Sequence, residues 1–226
     1  MQKFQILIFM ISIFGLPVDG QTEPVRDEPN YEIAFANFSP LNTDIFIADA
    51  DGGNARPLLA NPEADYNASF SPDGKWIFFT SERDGSADIY RVQADGKKLE
   101  RLTDDKAFDD QAALSPDGKS LAFVSSRSGQ ADIWILEMAT GKLRNLTEHP
   151  AGDFRPAWSP DGKWIAFASA RGGFKDESVL HPLNPQPYGE IFVMRSDGSD
   201  ARMLTDNQFE EATPTWIPFR RRQNLK

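Results

Sequence analysis

The sequence predicts an all-β fold, a β-propeller of four four-stranded blades. Three observations predict it. First, a phrase recurs: "SPDGKWIFFTSERDGSADIY" at 71–90, "SPDGKSLAFVSSRSGQADIW" at 115–134, and "SPDGKWIAFASARGG" from 159. Second, the recurrence keeps a step of 44 residues on Ser71, Ser115 and Ser159, and again on Leu58, Leu102 and Leu146. Third, each copy holds four short runs rich in aromatic and β-branched residues, and no useful helical period appears after residue 30. A period in the forties with four strands per copy is the mark of a propeller blade.

The elements follow in order. Residues 1–20 read as a signal peptide. Lys3 is followed by an apolar run at 4–16, with Val18 and Gly20 at a small-residue cleavage site. Export to the periplasm or the medium is the expectation, with no stable membrane span after cleavage. Residues 21–30 form a flexible lead-in, 31–218 the propeller, and 219–226, "FRRRQNLK", a basic tail. The chain has no cysteine, which excludes disulfides and thiolate chemistry. Its net charge of −10 argues against a nucleic-acid partner, which needs a basic surface.

Within a unit the strands are expected near 66–70, 75–81, 87–93 and 99–103. "SPDGK" turns the first strand into the second, because Pro presets φ and Asp-Gly tolerates the positive φ of a tight reversal. "QADGK", "MATGK" and "RSDGS" do the same for the last hairpin. The fourth unit is longer, with an insertion around 172–189. The first unit opens on "NYEIAFAN", which aligns with a second strand, so its own first strand is missing. The terminal "ATPTWIP" is expected to supply it and to close the ring within one chain, as a monomer. A half-ring completed by a second chain and an open array are the rival readings.

The pattern D-x-x-x-x-W/F-S-P-D-G-K, followed by D-I-Y/W and L-T, resembles the TolB-type, WD-like propeller repeat of exported bacterial proteins. The resemblance covers roughly 31–218. It implies a periplasmic propeller that docks an envelope or secreted protein on one of its faces. The sequence departs from the TolB pattern in having fewer blades and no additional α/β domain ahead of them. The repeat specifies a fold far more than a function.

Six residues before each aligned serine stand Asp65, Asp109, Asp153 and, in the closing strand, Glu211. These open the inner strands at one mouth of the channel. Carboxylates so placed need a cation, protons or arginines. Calcium held by Asp65, Asp109, Asp153 and Glu211 is one expectation. The other is structural pairing, since Arg83, Arg127 and Arg171 also align, with Asp88, Asp132 and Glu190 opening the third strands nearby. The insertion carries His181 and Tyr188 toward the same mouth, where Tyr66 and Phe154 add aromatic surface. No nucleophile elbow of the G-x-S-x-G kind is present. A non-catalytic protein-binding scaffold is therefore the leading functional expectation. The alternative is a carbohydrate- or metal-binding propeller with lyase or hydrolase activity at the acidic mouth, where His181 would be the group to act.

Overall fold

The computed structural model describes residues 32–38, 43–173, 189–207 and 211–217. They build four antiparallel sheets in chain order, a four-blade propeller array with no α-helix among the described residues. The first blade has three strands, β1 (Glu32–Phe38), β2 (Thr43–Asp49) and β3 (Arg56–Pro57). The second holds β4 (Asp65–Phe70), β5 (Trp76–Ser81), β6 (Asp88–Gln93) and β7 (Glu100–Arg101). The third holds β8 (Asp109–Leu114), β9 (Ser120–Ser125), β10 (Asp132–Glu137) and β11 (Leu143–Asn145). The fourth holds β12 (Asp153–Trp158), β13 (Trp164–Ser169), β14 (Glu190–Arg195) and β15 (Arg202–Met203). Each complete blade is a meander of neighbouring strands.

The recurring phrase is a turn device. Ser71 Oγ donates to Asp73 Oδ1 at 2.7 Å and accepts from Trp76 N at 2.9 Å. Ser115 and Ser159 repeat both bonds with Asp117 and Ser120, and with Asp161 and Trp164. Gly74, Gly118 and Gly162 take φ near 70°, between 68° and 72°, a region a side chain disfavours. The Ser71 hydroxyl, then Lys75, hold the Asp73 carboxyl down to about 2. The "L-T" pair is a second device. Thr103 Oγ1 accepts from Ile89 N at 2.9 Å, tying the end of the fourth strand to the start of the third. Thr147 and Thr205 do the same for Ile133 and Ile191.

The core lies between blades rather than within them. Ile45, Ile47 and Leu58 of the first blade pack on Ile77, Phe79, Tyr90 and Val92 of the second. Phe78 and Ile89 of the second meet Leu121, Phe123 and Leu136 of the third. Ile133 and Ile135 of the third meet Ile165, Phe167, Phe192 and Met194 of the fourth. The alternation is the ordinary period of a strand, but both faces are apolar because each is covered by a neighbour.

Every inner strand carries a bulge. Its register shifts between Tyr66 and Ser69, Asp110 and Ala113, and Phe154 and Ala157. Asn67, Gln111 and Arg155 sit at the shifts with φ of 52°, 58° and 55°.

The closing pairing expected from the sequence is not formed among the described residues. Segment 211–217 takes the inner-strand conformation, with Thr213 at φ 53°. It also takes the inner-strand seat beside the fourth blade. Glu211 N donates to Gly189 O at 2.7 Å, as Asp109 N does to Ala87 O and Asp153 N to Ala131 O. Trp216 Nε1 donates to Ala157 O at 2.9 Å, as Trp158 Nε1 does to Ala113 O at 3.0 Å. Yet residues 212–217 pair with no strand, and β1 pairs only with β2. The segment is bound to the blade before it, not to the sheet that lacks it.

Inter-blade packing is expected to dominate stability. Phe123→Ala, in the fully buried contact between second and third blades, should cost about 3–5 kcal/mol. Phe108→Ala, an exposed aromatic, should stay within about 0.5 kcal/mol. Urea unfolding of the two variants checks the contrast.

Candidate functional site

Two faces of the array offer sites: the mouth where the inner strands begin, and the opposite face where the "SPDGK" turns lie. At the first, Asp65, Asp109 and Asp153 are each engaged inside their own blade. Arg83 Nη2 donates to both oxygens of Asp65, at 3.1 and 2.9 Å. Arg127 Nη2 reaches Asp109 Oδ2 at 2.7 Å, and Arg171 Nη2 reaches Asp153 Oδ2 at 2.7 Å. Arg83 and Arg127 also donate through Nε to Ser81 and Ser125 at 2.8 Å. The guanidinium then lies against an aromatic pair. Arg83 Cζ is 5.5 Å from the Phe79 ring and 5.0 Å from Tyr90. Arg127 lies against Phe123 and Trp134, and Arg171 against Phe167 and Phe192, at 5.1–5.6 Å. Each arginine is thus clamped between a buried carboxylate and two rings.

The third-strand carboxylates do not share these arginines. Asp88 accepts from Arg101 Nη2 at 2.7 Å and from Ser86 Oγ at 2.8 Å. Asp132 accepts from Ser128, Asn145, Thr147 and the backbone N–H of His149. Glu190 accepts from Thr205 Oγ1 at 2.6 Å. They anchor the loop after the fourth strand.

The three inner-strand aspartates are held apart, each by the arginine of its own blade. Asp65, Asp109 and Asp153 are buried in separate blades. Among the described residues no group of three or more Asp, Glu or His side chains comes close enough to hold a metal ion. Glu211 is half-buried, with Asn207 Nδ2 on Oε1 at 2.7 Å. Tyr66 donates to Glu82 Oε1 at 3.1 Å, and burial, then the Asp110 charge, push its hydroxyl pKa up. Phe154 packs on the cluster between third and fourth blades. His181 and Tyr188 lie outside the described residues.

Asp110 is a buried group that sequence reasoning missed. It accepts from both Thr80 Oγ1 and the Asn67 amide, the latter at 2.8 and 2.9 Å. It thereby ties two neighbouring inner strands. Its signal was available, because Asp110 is charged where the other repeats hold Tyr66, Phe154 and Ala212.

The turn face carries open space. Between the second and third blades lies a groove of about 310 Å³, lined by Trp76, Phe78, Leu114 and Met138, with Arg91 beside them. Between the third and fourth lies one of about 430 Å³, lined by Ile135, Trp158 and Arg144. Pro116 and Asp117 line both. Arg91 Cζ stands 4.4 Å from the Trp76 ring, and Arg144 Nη1 donates to Asp197 O at 2.6 Å.

Comparison with known proteins matches two families. The TolB beta propeller domain matches residues 28–115, and the Tricorn protease N-terminal beta propeller domain matches 86–184. Among solved structures, a putative TolB from Agrobacterium tumefaciens superposes with a TM-score of 0.66 at 26% identity, over 80% of this chain and 62% of that one. TolB from Acinetobacter baumannii gives 0.62 at 24% identity, over 80% and 42%. An oligogalacturonate lyase from Vibrio parahaemolyticus gives 0.55 at 14% identity, over 84% and 52%, a likeness of fold alone. The chain spans less than two thirds of each of these proteins.

The clamps set a pH dependence. Asp109 Oδ1 and Asp153 Oδ1 are buried without a hydrogen-bond partner among the described residues. Burial raises both pKa values, offset in part by Ser125 with Arg127, and by Ser169 with Arg171. Protonation of these two groups then favours the folded chain. That stabilisation is complete below the ordinary aspartate value of 3.8 and is lost as the pH rises through the raised folded value. In urea unfolding across a pH series, the advantage of the wild type over Asp153→Asn should shrink as the pH rises. A growing advantage would show the Arg171 attraction outweighing burial. Arg127→Ala, which leaves Asp109 buried and unpaired, should cost about 3–5 kcal/mol at neutral pH.

Proposed function

Because the chain belongs to the TolB-like β-propeller repeat family, we propose that it is an exported, non-catalytic scaffold that binds a protein partner in the periplasm or cell envelope. The signal-like first 20 residues support export. No helix of the described residues is long and apolar enough to cross a membrane. The observation that carries the reading is the pair of adjoining grooves on the turn face. They share the Pro116–Asp117 turn and form one track across three blades. Their walls combine tryptophan, phenylalanine, methionine and arginine, the residue types that concentrate at protein interfaces.

The charge pattern narrows the partner. Lys75 and Lys97 are each paired with an aspartate of their own turn. Arg91 is paired too, with Glu100 of the neighbouring strand at 2.7 Å, and Arg144 donates to the Asp197 carbonyl, but both guanidinium groups line the grooves. In a chain of net charge −10 they provide local cations suited to carboxylates on an extended segment of the partner. At the mouth of the inner strands, Asp65, Asp109 and Asp153 are held by the arginine clamps of their blades.

The test uses the full chain as bait on envelope extract, beside an Arg91→Glu/Arg144→Glu variant. The wild type should retain a defined protein, and the variant should bind it at least tenfold more weakly by titration. Because Arg91 also pairs with Glu100 and lies on Trp76, the variant should lose about 1–2 kcal/mol of stability, so binding is compared at a temperature where both proteins are folded by circular dichroism. Equal binding by both proteins would remove the grooves from the interface. Uronate release from polysaccharide by the wild type alone would replace the scaffold with an enzyme.

A further inference from the structure

The array ends on two uncovered apolar faces, and each has the chemistry of the face that would cover the other. Three internal interfaces define the rule. On one side stand a third-strand isoleucine and a fourth-strand leucine: Ile45 with Leu58, Ile89 with Leu102, and Ile133 with Leu146. On the other stand a second-strand aliphatic and a phenylalanine: Ile77 with Phe79, Leu121 with Phe123, and Ile165 with Phe167. The fourth blade presents Ile191 and Leu204 at the first set of positions. The first blade presents Ile33 and Phe35 at the second set.

Exposure shows that both sets stand open. Leu204 is 56% exposed, whereas Leu58 is 6% exposed at the same position. Ile33 and Phe35 are 43% and 39% exposed, whereas Ile77 and Phe79 are at 0% and 1%. Phe35 still stacks on Phe46 at 5.9 Å, as Phe79 stacks on Tyr90 at 6.0 Å, so the face is preformed. The backbone carries the same complementarity. The first sheet lacks an inner strand, while 211–217 is an inner strand with no sheet of its own.

We propose that a second copy of this chain joins the two ends, each copy seating its 211–217 along the other's β1 and its fourth blade against the other's first. Among the described residues, 212–217 and the free edge of β1 have no strand partner. The occupant whose chemistry matches each end is the other end of this chain, supplied in trans. The exchange is reciprocal, so two copies complete both first sheets with a fourth strand and leave no uncovered end face. The contact repeats the packing already present three times inside each chain, which makes the interface a continuation of the fold.

The absence of cysteine gives a direct test. By the register of Ser69 with Phe78, Thr215 should lie opposite Ala34. Ala34→Cys and Thr215→Cys are made as separate full-length chains, then mixed and oxidised. A disulfide-linked pair should form in the mixture at least tenfold more than in either variant alone. The double variant Ala34→Cys/Thr215→Cys should give covalent species of two chains. Light scattering of the wild type should give the mass of two chains, and Phe35→Glu, on an exposed position, should reduce it to one. A disulfide confined within single chains would show closure in cis and overturn the proposal. A wild-type mass of one chain, with no cross-link in the mixture, would overturn it as well.

Discussion

A four-stranded blade has two apolar faces and can cover neither by itself. Everything else in the structure follows from that constraint. The strands are rich in Ile, Phe, Leu and Val on both sides because each side meets another blade. The repeat step is fixed because a blade that differed in strand spacing would misplace its half of two interfaces. The insertion of the fourth unit is accommodated for the same reason. It enters between β13 and β14, which still pair in register from Trp164 with Arg195 to Ser169 with Glu190. Apolar surface stabilises by roughly 25 cal/mol per Å² removed from water, so two faces per blade outweigh any single turn or cap.

The carboxylate clamps answer a problem that this packing creates. Stacking blades buries the start of each inner strand, and an aspartate there loses its water. A buried charge is tolerated only when an opposite charge and hydrogen bonds replace that water. The arginine after the second strand supplies both, and its flat face covers the aromatic pair of its own blade. The clamp thus joins three strands of one sheet at the mouth. Its compensation is partial in the third and fourth blades, where one aspartate oxygen stays without a partner. In the second blade Asn61 Nδ2 contacts Asp65 Oδ1 at 3.4 Å and Arg83 reaches both oxygens.

The blade was legible in the sequence because its parts are local. Ser71, Asp73 and Gly74 interact within a few residues, so a phrase of five letters carries the turn. The alignment of Arg83, Arg127 and Arg171 with buried acids was legible for the same reason, since the repeat doubles as an alignment. The choice of acid was not. Arg83 goes to Asp65 rather than Asp88 because its guanidinium also lies on Phe79 and Tyr90, and Arg101 takes Asp88 from the other side. That competition depends on side-chain direction, which spacing does not encode. The grooves were hidden likewise, being spaces between units that the repeat describes one at a time. The closing strand was read correctly as an inner strand, yet its sheet partner depends on the curvature summed over four blades.

Where the repeat breaks, the chain is free to differ. The bulge positions show this most clearly. Asn67, Gln111, Arg155 and Thr213 share one backbone conformation, but no two are alike. A positive φ suits asparagine and is costly for a β-branched threonine, by about 1–3 kcal/mol. If backbone ease alone chose the residue, all four would be asparagine or glycine. Two of them instead make contacts particular to their blade. Asn67 reaches across to Asp110, and Gln111 Oε1 accepts from Arg155 N at 2.7 Å. In the second and third blades the bulge therefore turns a side chain toward the next inner strand, and its identity suits that neighbour. Repetition builds the frame, and the individuality of this propeller is confined to its inner strands, its grooves and its two ends.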